Sequence, residues 1–329
     1  MKSVNKQTTL RTLVLLSIIG LGLVLLSSQT AEAKRKIAPE KVNVIMVGDR
    51  LVDVAFNLGV LPEAMSVRCS MWPMCKELTN TSQILGCPKC IVDRIPNIVP
   101  DTARKRGIKR IIIERHPNFC IYKPKVKPAN VVPLLKGKDL TIEYVDFSKG
   151  LESAIRQTAK LIGRQSKADT LIDRYNKALA KAKKGLPKTK PGKKVVIING
   201  TYQSATGKTF LRVEMPGGYS DRFLLDPLGC INTGDVLKSP NKKVDKGHFL
   251  IRKLGVLARG KPDVIVMTGN AFAVQKALAA AVKKDPAIAN VPAVKNLAIY
   301  SLPFYGDSSV IEYPAILRQW TDAIYRKRN

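Results

Sequence analysis

A chain of 329 residues, 45% of them apolar and 25% charged, is long enough for two domains with separate cores and too apolar to remain unfolded. Lys and Arg outnumber Asp and Glu by 56 to 25, a formal net charge of +31. The cations are scattered over helices and loops and no stacking-aromatic motif accompanies them. This argues against nucleic acid and leaves an acidic ligand, an anionic membrane surface or a solvated basic surface.

Residues 1–33 read as an export leader. Lys2, Lys6 and Arg11 precede an apolar run at 13–26, and Ala31-Glu32-Ala33 has the small-x-small form of a cleavage site. The run is shorter than the roughly 20 residues of a membrane span, and no Cys follows it, which argues against a lipid anchor. The expectation is a cleaved signal peptide and a periplasmic protein; an uncleaved anchor is the other reading. Removing three basic residues and one acidic one leaves 296 residues with a charge of +29.

Three apolar, β-branched runs follow, then a long helical stretch, then three more runs. The first, 42–47 (VNVIMV), leads into Gly48-Asp49-Arg50; 109–113 (KRIII) leads into Glu114-Arg115-His116, and 140–145 (LTIEYV) into Asp146-Phe147. Beyond the helical stretch, 194–198 (KVVII) leads into Asn199-Gly200-Thr201-Tyr202 and 263–267 (DVIVM) into Thr268-Gly269-Asn270. The last, 297–302 (LAIYSL), leads into Pro303-Phe304-Tyr305-Gly306-Asp307. The spacings repeat: Ile45 to Ile112 is 67 positions and Ile197 to Ile265 is 68. Ile112 to Ile142 is 30, and Ile265 to Ile299 is 34. Continuous apolar strands between helices predict parallel sheets covered on both faces. The pattern is two α/β, Rossmann-like lobes, 34–150 and 187–329.

Between them, 151–186 carries apolar residues at helical spacing: Leu151, Ile155, Thr158 and Ile162, then Leu171, Ile172, Tyr175, Leu179 and Ala182. Gly185 and Pro187 stop it. One continuous helix would reach roughly 50 Å and form a single long backbone helix joining the lobes. The alternative is two helices broken near 163–166. Shorter helices are expected at 51–59, 220–228, 249–259, 272–284 and 314–326. His248 would then cap or flank the third of these, and 207–220 would be an open loop carrying Arg212 and Tyr219 toward a cleft.

Five passages, "LGVLPEAMSVR", "LIGRQSKADTLIDRYNKAL", "LLDPLGCIN", "GKPDVIVMTG" and "DPAIANVPAVKNLAIYSLPF", are spread over 42–328. In this order they resemble the periplasmic substrate-binding proteins of the helical-backbone class, which serve ABC importers of siderophores, haem, cobalamin and metal ions. The resemblance implies a ligand cleft between the lobes, a small ligand, and an ABC permease with its ATPase as partners. Family members commonly carry a Glu where the segment before Lys109 here reads NIVPDTARKRG.

Ligands of open α/β sheets bind beyond the carboxyl ends of the strands. Arg50, His116, Tyr202, Gln203, Asn270 and Tyr305 sit at such ends, with Arg212 on the following loop. Arg is suited to two-pronged capture of a carboxylate or phosphate. The most unusual stretch, Arg68-Cys69-Ser70-Met71-Trp72-Pro73-Met74-Cys75, falls where the first lobe should open into the cleft, and Cys87-Pro88-Lys89-Cys90 follows it. Cys69 and Trp72 therefore join the ligand candidates. Two readings of the sulfurs stand. Six cysteines in an exported chain, Cys69, Cys75, Cys87, Cys90, Cys120 and Cys230, are candidates for disulfides with no pairing fixed. Alternatively Cys69, Met71, Met74 and Cys75, with His116 or Cys120, offer soft ligands to a transition metal. The spacing is not that of a zinc finger.

Enzyme motifs are missing. The stretch 200–209 (GTYQSATGKT) places six residues between its glycines where a phosphate-binding loop has four, and no G-x-S-x-G is present. The expectation is a monomeric exported binding protein with no resident cofactor, carrying a metal ion or metal chelate as cargo to a permease. The alternative is a periplasmic metal chaperone or redox-related binding protein on the same fold without a permease.

Overall fold

The computed structural model describes residues 39–325; the expected export leader lies outside them. Five parallel strands, β1 (Glu40–Val47), β2 (Val60–Ser66), β3 (Gln83–Ile84), β4 (Arg110–Arg115) and β5 (Thr141–Asp146), form a sheet in the order β3-β2-β1-β4-β5. Alternate side chains of the central strand go to opposite faces. Val44 and Met46 pack with α1 (Asp49–Asn57), whereas Ile45 and Val47 pack with α2 (Ile98–Arg106). Both faces are covered, so 44–47 is apolar at every position. At the exit of β1, Gly48 has φ 129°, and a Cβ there would lie 2.4 Å from Glu114 Cβ. Glycine alone lets this turn sit against the end of β4.

The stretch 151–186 is two helices rather than one. α3 (Leu151–Leu161) and α4 (Gln165–Lys184) meet at a turn where Gly163 has φ 67°. α3 packs on the first lobe through Ala154, Ile155 and Ala159. α4 reaches both lobes, with Ala168, Leu171 and Ile172 in the first core and Ala182 in the second. Its 20 residues span about 30 Å at helical rise.

The second sheet contains β6 (Lys194–Gln203), β7 (Lys208–Glu214), β8 (Ile231–Asn232), β9 (His248–Ile251), β10 (Val264–Gly269) and β11 (Ile299–Ser301). The order is β11-β10-β6-β7-β9, with β8 beside the start of β6. β11, β10, β6 and β8 run parallel, but β7 and β9 are antiparallel to their neighbours. The sheet is thus mixed where a wholly parallel one was expected. Residues 208–214, expected in a loop, alternate in the period of a strand: Phe210 and Arg212 are exposed, Leu211 and Val213 buried. A turn ending at Gly207, φ 65°, folds them back onto β6. Likewise the expected helix at 249–259 begins as β9, so His248 pairs with Glu214 instead of flanking a helix. α5 (Ala271–Lys284) covers one face through Ala273, Val274 and Leu278.

After β11 the chain crosses back to the first lobe, which no sequence signal announces. Val310 is buried in the first core with Ile311 against it, and the Ile311 N–H donates to the buried Asp53 carboxylate at 3.0 Å. α6 (Tyr313–Tyr325) then returns, packing on α4 and burying Ile316, Leu317, Trp320 and Ile324 in the second core. Two stretches of chain, α4 and the strap 302–312, therefore tie the lobes together.

Candidate functional site

The strand ends of the first lobe carry two buried arginines, each paired with a carboxylate of its own lobe and reaching the strap. Arg50 Nε donates to Glu114 Oε1 at 2.6 Å and its Nη1 to Asp307 Oδ2 at 3.1 Å. Arg68 Nε donates to Asp49 Oδ2 at 2.5 Å and its backbone N–H to Asp49 Oδ1 at 2.8 Å. Its Nη1 donates to the Phe119 carbonyl at 2.9 Å and to the Tyr219 hydroxyl at 3.1 Å, and its Nη2 to Ser308 Oγ at 3.2 Å. Ser308 Oγ in turn donates to Asp49 at 2.8 Å. The Phe119 ring lies 4.0 Å from the Arg68 guanidinium carbon, close enough for a cation–π contact. Burial opposes the Arg68 charge, but Asp49 and Tyr219 outweigh it and hold the guanidinium pKa above its usual value. Burial pushes the Glu114 carboxyl up despite Arg50. Arg50 Nη2 is buried with no partner among the described residues, a donor left over in the cleft.

Beside this clasp Tyr122 of the first lobe is seated in the second. A Cβ on Gly247 would lie 2.3 Å from Tyr122 Cε1, and one on Gly218 2.6 Å from its hydroxyl, so both positions are glycine because the ring occupies the space. The hydroxyl donates to Glu214 Oε1 at 3.4 Å and accepts from the Tyr219 N–H at 3.4 Å, while the Tyr219 ring stands edge-on at 5.2 Å. Ser220 also donates to Glu214, from its hydroxyl at 2.7 Å and its N–H at 3.2 Å. Burial nevertheless pushes the Glu214 carboxyl up to about 7.

Tyr122 also walls a cavity of about 340 Å³. Its lining takes in the exit of β2, the loop after Arg68, the Cys87 turn, the segment around Cys120 and, from the second lobe, Lys246. Arg68, Lys89, Lys123 and Lys246 line it. Arg68 is paired with Asp49 and Lys89 with Asp93, so among the described residues Lys123 and Lys246 are its uncompensated cations and no Asp or Glu lines it. Val67, Met71 and Val126 supply apolar wall, and Cys69, Cys87 and Cys120 supply sulfur. Such a chamber selects for negative charge and accepts an apolar body.

The residues expected at the site divide. Arg50 belongs to the clasp, and Cys69 and Met71 line the cavity. His116 is half-buried near Arg50 and accepts from the Asn118 N–H at 3.0 Å; burial and Arg50 hold its pKa below the usual value. Trp72, expected as a ligand contact, is fully buried, with its indole N–H donated to Asp53 at 3.0 Å. Tyr305 is likewise buried, in the second core against Phe223 and Tyr313. Tyr202 packs edge-on against Phe272, and Gln203 accepts from Thr206 in the β6–β7 turn. Arg212 is exposed opposite Leu250 on β9, and Asn270 caps α5 by accepting from the Ala273 N–H at 2.9 Å. These four are engaged within their own lobe or open to solvent.

The soft-ligand set does not converge. Cys69 and Cys75 are bonded to each other, with Cα atoms 5.1 Å apart, within the span of a disulfide. That leaves no thiolate on either, and Met74 packs against the first core. Among the described residues no three His, Cys, Asp or Glu side chains are grouped so as to hold a metal ion. Cys87, Cys90, Cys120 and Cys230 are thiols. Sequence reasoning passed over Asp49, Arg68, Ser308, Tyr122, Lys123 and Lys246. Only Arg68, next to the cysteine-rich loop, and the Lys-rich stretch after Cys120 offered a signal.

Known structures share this architecture. The apo periplasmic haem-binding protein RhuT of Roseiflexus sp. RS-1 superposes with a TM-score of 0.56 at 13% identity, over 87% of this chain and 98% of that one. The periplasmic haem-binding protein HutB of Vibrio cholerae gives 0.51 at 14%, over 84% and 97%. A periplasmic haem-binding protein of Pseudomonas aeruginosa gives 0.51 at 15%, over 87% and 93%. At these identities the likeness is one of fold. No curated protein matches the sequence. A family model described as periplasmic binding protein matches residues 122–305, more than half of the chain. With two α/β lobes facing a closed cleft and a sequence match across most of the second lobe, the chain belongs to the periplasmic binding protein family and is a solute-binding protein, not an enzyme.

Proposed function

We propose that this protein is an exported carrier that takes up a small anionic metal chelate in the cavity between its lobes and delivers it to an ABC permease. The observation that supports this reading most directly is the lining of that cavity, with the cations Lys123 and Lys246, three cysteine sulfurs and no carboxylate among the described residues. Haem, which the fold neighbours above are described as binding, is itself an anionic metal chelate. A volume of about 340 Å³ lies at the low end of small-molecule pockets, roughly 300–1,000 Å³. In this closed arrangement a compact chelate such as ferric citrate fits the space better than a macrocycle. Arg68 joins the cavity wall to the inter-lobe clasp, so a bound anion and the closure of the lobes draw on the same guanidinium.

Native mass spectrometry of protein purified from the periplasm, followed by calorimetric titration with ferric citrate and with haemin, tests the reading. The expected result is a co-purified or titratable anionic chelate, with affinity lowered about tenfold or more by Lys123→Glu with Lys246→Glu. Retained affinity in that double variant, or binding of cationic chelates in preference, would count against it. N-terminal sequencing that begins at Lys34 would support cleavage of the leader.

A further inference from the structure

Two pairs of sulfurs, each with one member on the cavity wall, are in different states. Cys69 is bonded to Cys75, whereas Cys87 and Cys90 face each other as thiols with Sγ atoms 2.8 Å apart. Cys69 and Cys87 both line the cavity. The Cys87-Pro88-Lys89-Cys90 turn is built to hold its pair. The Cys90 N–H donates to Cys87 Sγ at 3.3 Å, and Gly86, at φ 106°, brings the chain in against Cys90. A disulfide spans about 2.05 Å, so closure requires a sulfur movement of about 0.8 Å from the observed contact. Both thiols are partly exposed, unlike Cys230, which is buried against the Tyr325 hydroxyl. The two thiols also differ in acidity. The contact with Cys87, helped by Arg94 and Lys89, lowers the Cys90 thiol, while burial raises Cys87.

We propose that Cys87 and Cys90 are a redox-active dithiol that reduces the disulfides of small anionic thiols admitted to the cationic cavity, and that ends as a Cys87–Cys90 disulfide. The reacting form carries one proton on the pair. Cys87 Sγ, which faces the cavity, attacks one sulfur of the bound disulfide as its proton passes to the Cys90 thiolate. The S–S bond of the substrate breaks and the first thiolate leaves. Cys90 Sγ then attacks Cys87 Sγ, releasing the second thiolate together with the proton. One dithiol is oxidised and one disulfide reduced, a two-electron exchange with no further reactant. The event is stoichiometric, once per chain, so it needs no turnover machinery. Negative charge on the substrate is selected by Lys123 and Lys246, the lining cations with no carboxylate partner among the described residues.

The mature full-length protein, incubated with dithiodiglycolate, a compact dianionic disulfide, and then alkylated, digested and analysed by mass spectrometry, tests this. The expected product is a Cys87–Cys90 disulfide with release of two thioglycolate equivalents. Cys90→Ser should trap thioglycolate on Cys87. Cystamine, a cationic disulfide of similar size, should react at least about tenfold more slowly than dithiodiglycolate, the scale of electrostatic steering. Lys123→Glu with Lys246→Glu should abolish that preference. Reaction confined to Cys120, equal rates with the two disulfides, or no oxidation at Cys87 and Cys90 would overturn the proposal. If Cys90→Ser does not fold, the rate ratio on the unaltered chain still decides. No chelate is used, so the outcome is independent of whether the cavity carries one.

Discussion

Replacing Arg68 by Ala perturbs the molecule at the point where the clasp, the cavity and the second lobe meet. Arg68 is 7% exposed and its partner Asp49 is fully buried. Without the guanidinium, the Asp49 carboxylate keeps only the Ser308 hydroxyl and the residue-68 backbone N–H as donors among the described residues. Leaving one member of a buried ion pair uncompensated costs about 3–5 kcal/mol. The bonds to Phe119, Tyr219 and Ser308 belong to the same network and are contained in that figure rather than added to it. For a chain of this size each kcal/mol shifts the melting temperature by about 2–4 °C, so Arg68→Ala should melt about 6–20 °C lower. Thermal unfolding followed by circular dichroism reads this directly. Lys109→Ala, which removes an exposed ion pair with Asp139, serves as the control and should leave the melting temperature nearly unchanged. Arg68→Met combined with Asp49→Asn should recover much of the loss, since no charge is then stranded. A loss below about 1 kcal/mol for Arg68→Ala, indistinguishable from the control, would refute the reasoning.

Other outcomes follow from the same interface. The Glu214 carboxyl is raised from 4.5 to about 7 in the folded chain, so the folded state binds more protons than the unfolded state between those values. Its stabilising effect is full below about pH 4.5 and is lost as pH climbs through 7, on the order of 3 kcal/mol. Glu214→Gln should therefore gain stability relative to wild type on going from pH 5 to pH 8, and a pH-independent difference between their melting curves would contradict this. Gly247→Ala places a Cβ in the Tyr122 ring and a side chain at φ 73°, and should cost about 2–3 kcal/mol. Tyr122→Phe, which deletes only the hydroxyl, should cost about 1 kcal/mol, and a denaturant titration of the two variants beside the unaltered chain measures both losses. Because α4 and the strap both cross between the lobes, crystal structures with and without ligand should differ by a small lobe rotation. A wide hinge opening would contradict this.

The parts of the fold visible in the sequence are those encoded by short-range pattern. The runs VNVIMV, KRIII, KVVII and DVIVM declare buried strands because both faces of each sheet are covered, and their matching spacings reveal two similar halves. The break between α3 and α4 was open at Gly163, where a glycine inside a helical pattern serves equally as a tolerated residue or a turn. β7 was hidden by the glycines that bound it, Gly207 and Gly217-Gly218, although Leu211 and Val213 alternate correctly with Phe210 and Arg212. The clasp was not legible. Asp49 and Arg68 are 19 positions apart, Arg50 and Glu114 are 64, Arg50 and Asp307 are 257, and Asp49 and Ser308 are 259. No local pattern encodes such pairings. Strand-end position nominated Tyr305 alongside Arg50, and the cysteine-rich stretch nominated Trp72, but large aromatic side chains gain most from full burial, and both went to the cores.

The strap carries a further consequence, for the order in which the protein is made. Val310 and Ile311 complete a core whose other members all lie between Val42 and Ile172. Asp53 takes a further N–H from Ile311 and Asp49 a further hydroxyl from Ser308. A chain delivered N-terminus first holds an unfinished first lobe until the strap emerges, with two buried carboxylates each short of one donor. A fragment ending at α4 inherits the same defect. The two lobes look like a duplicated pair, yet the first one is assembled last.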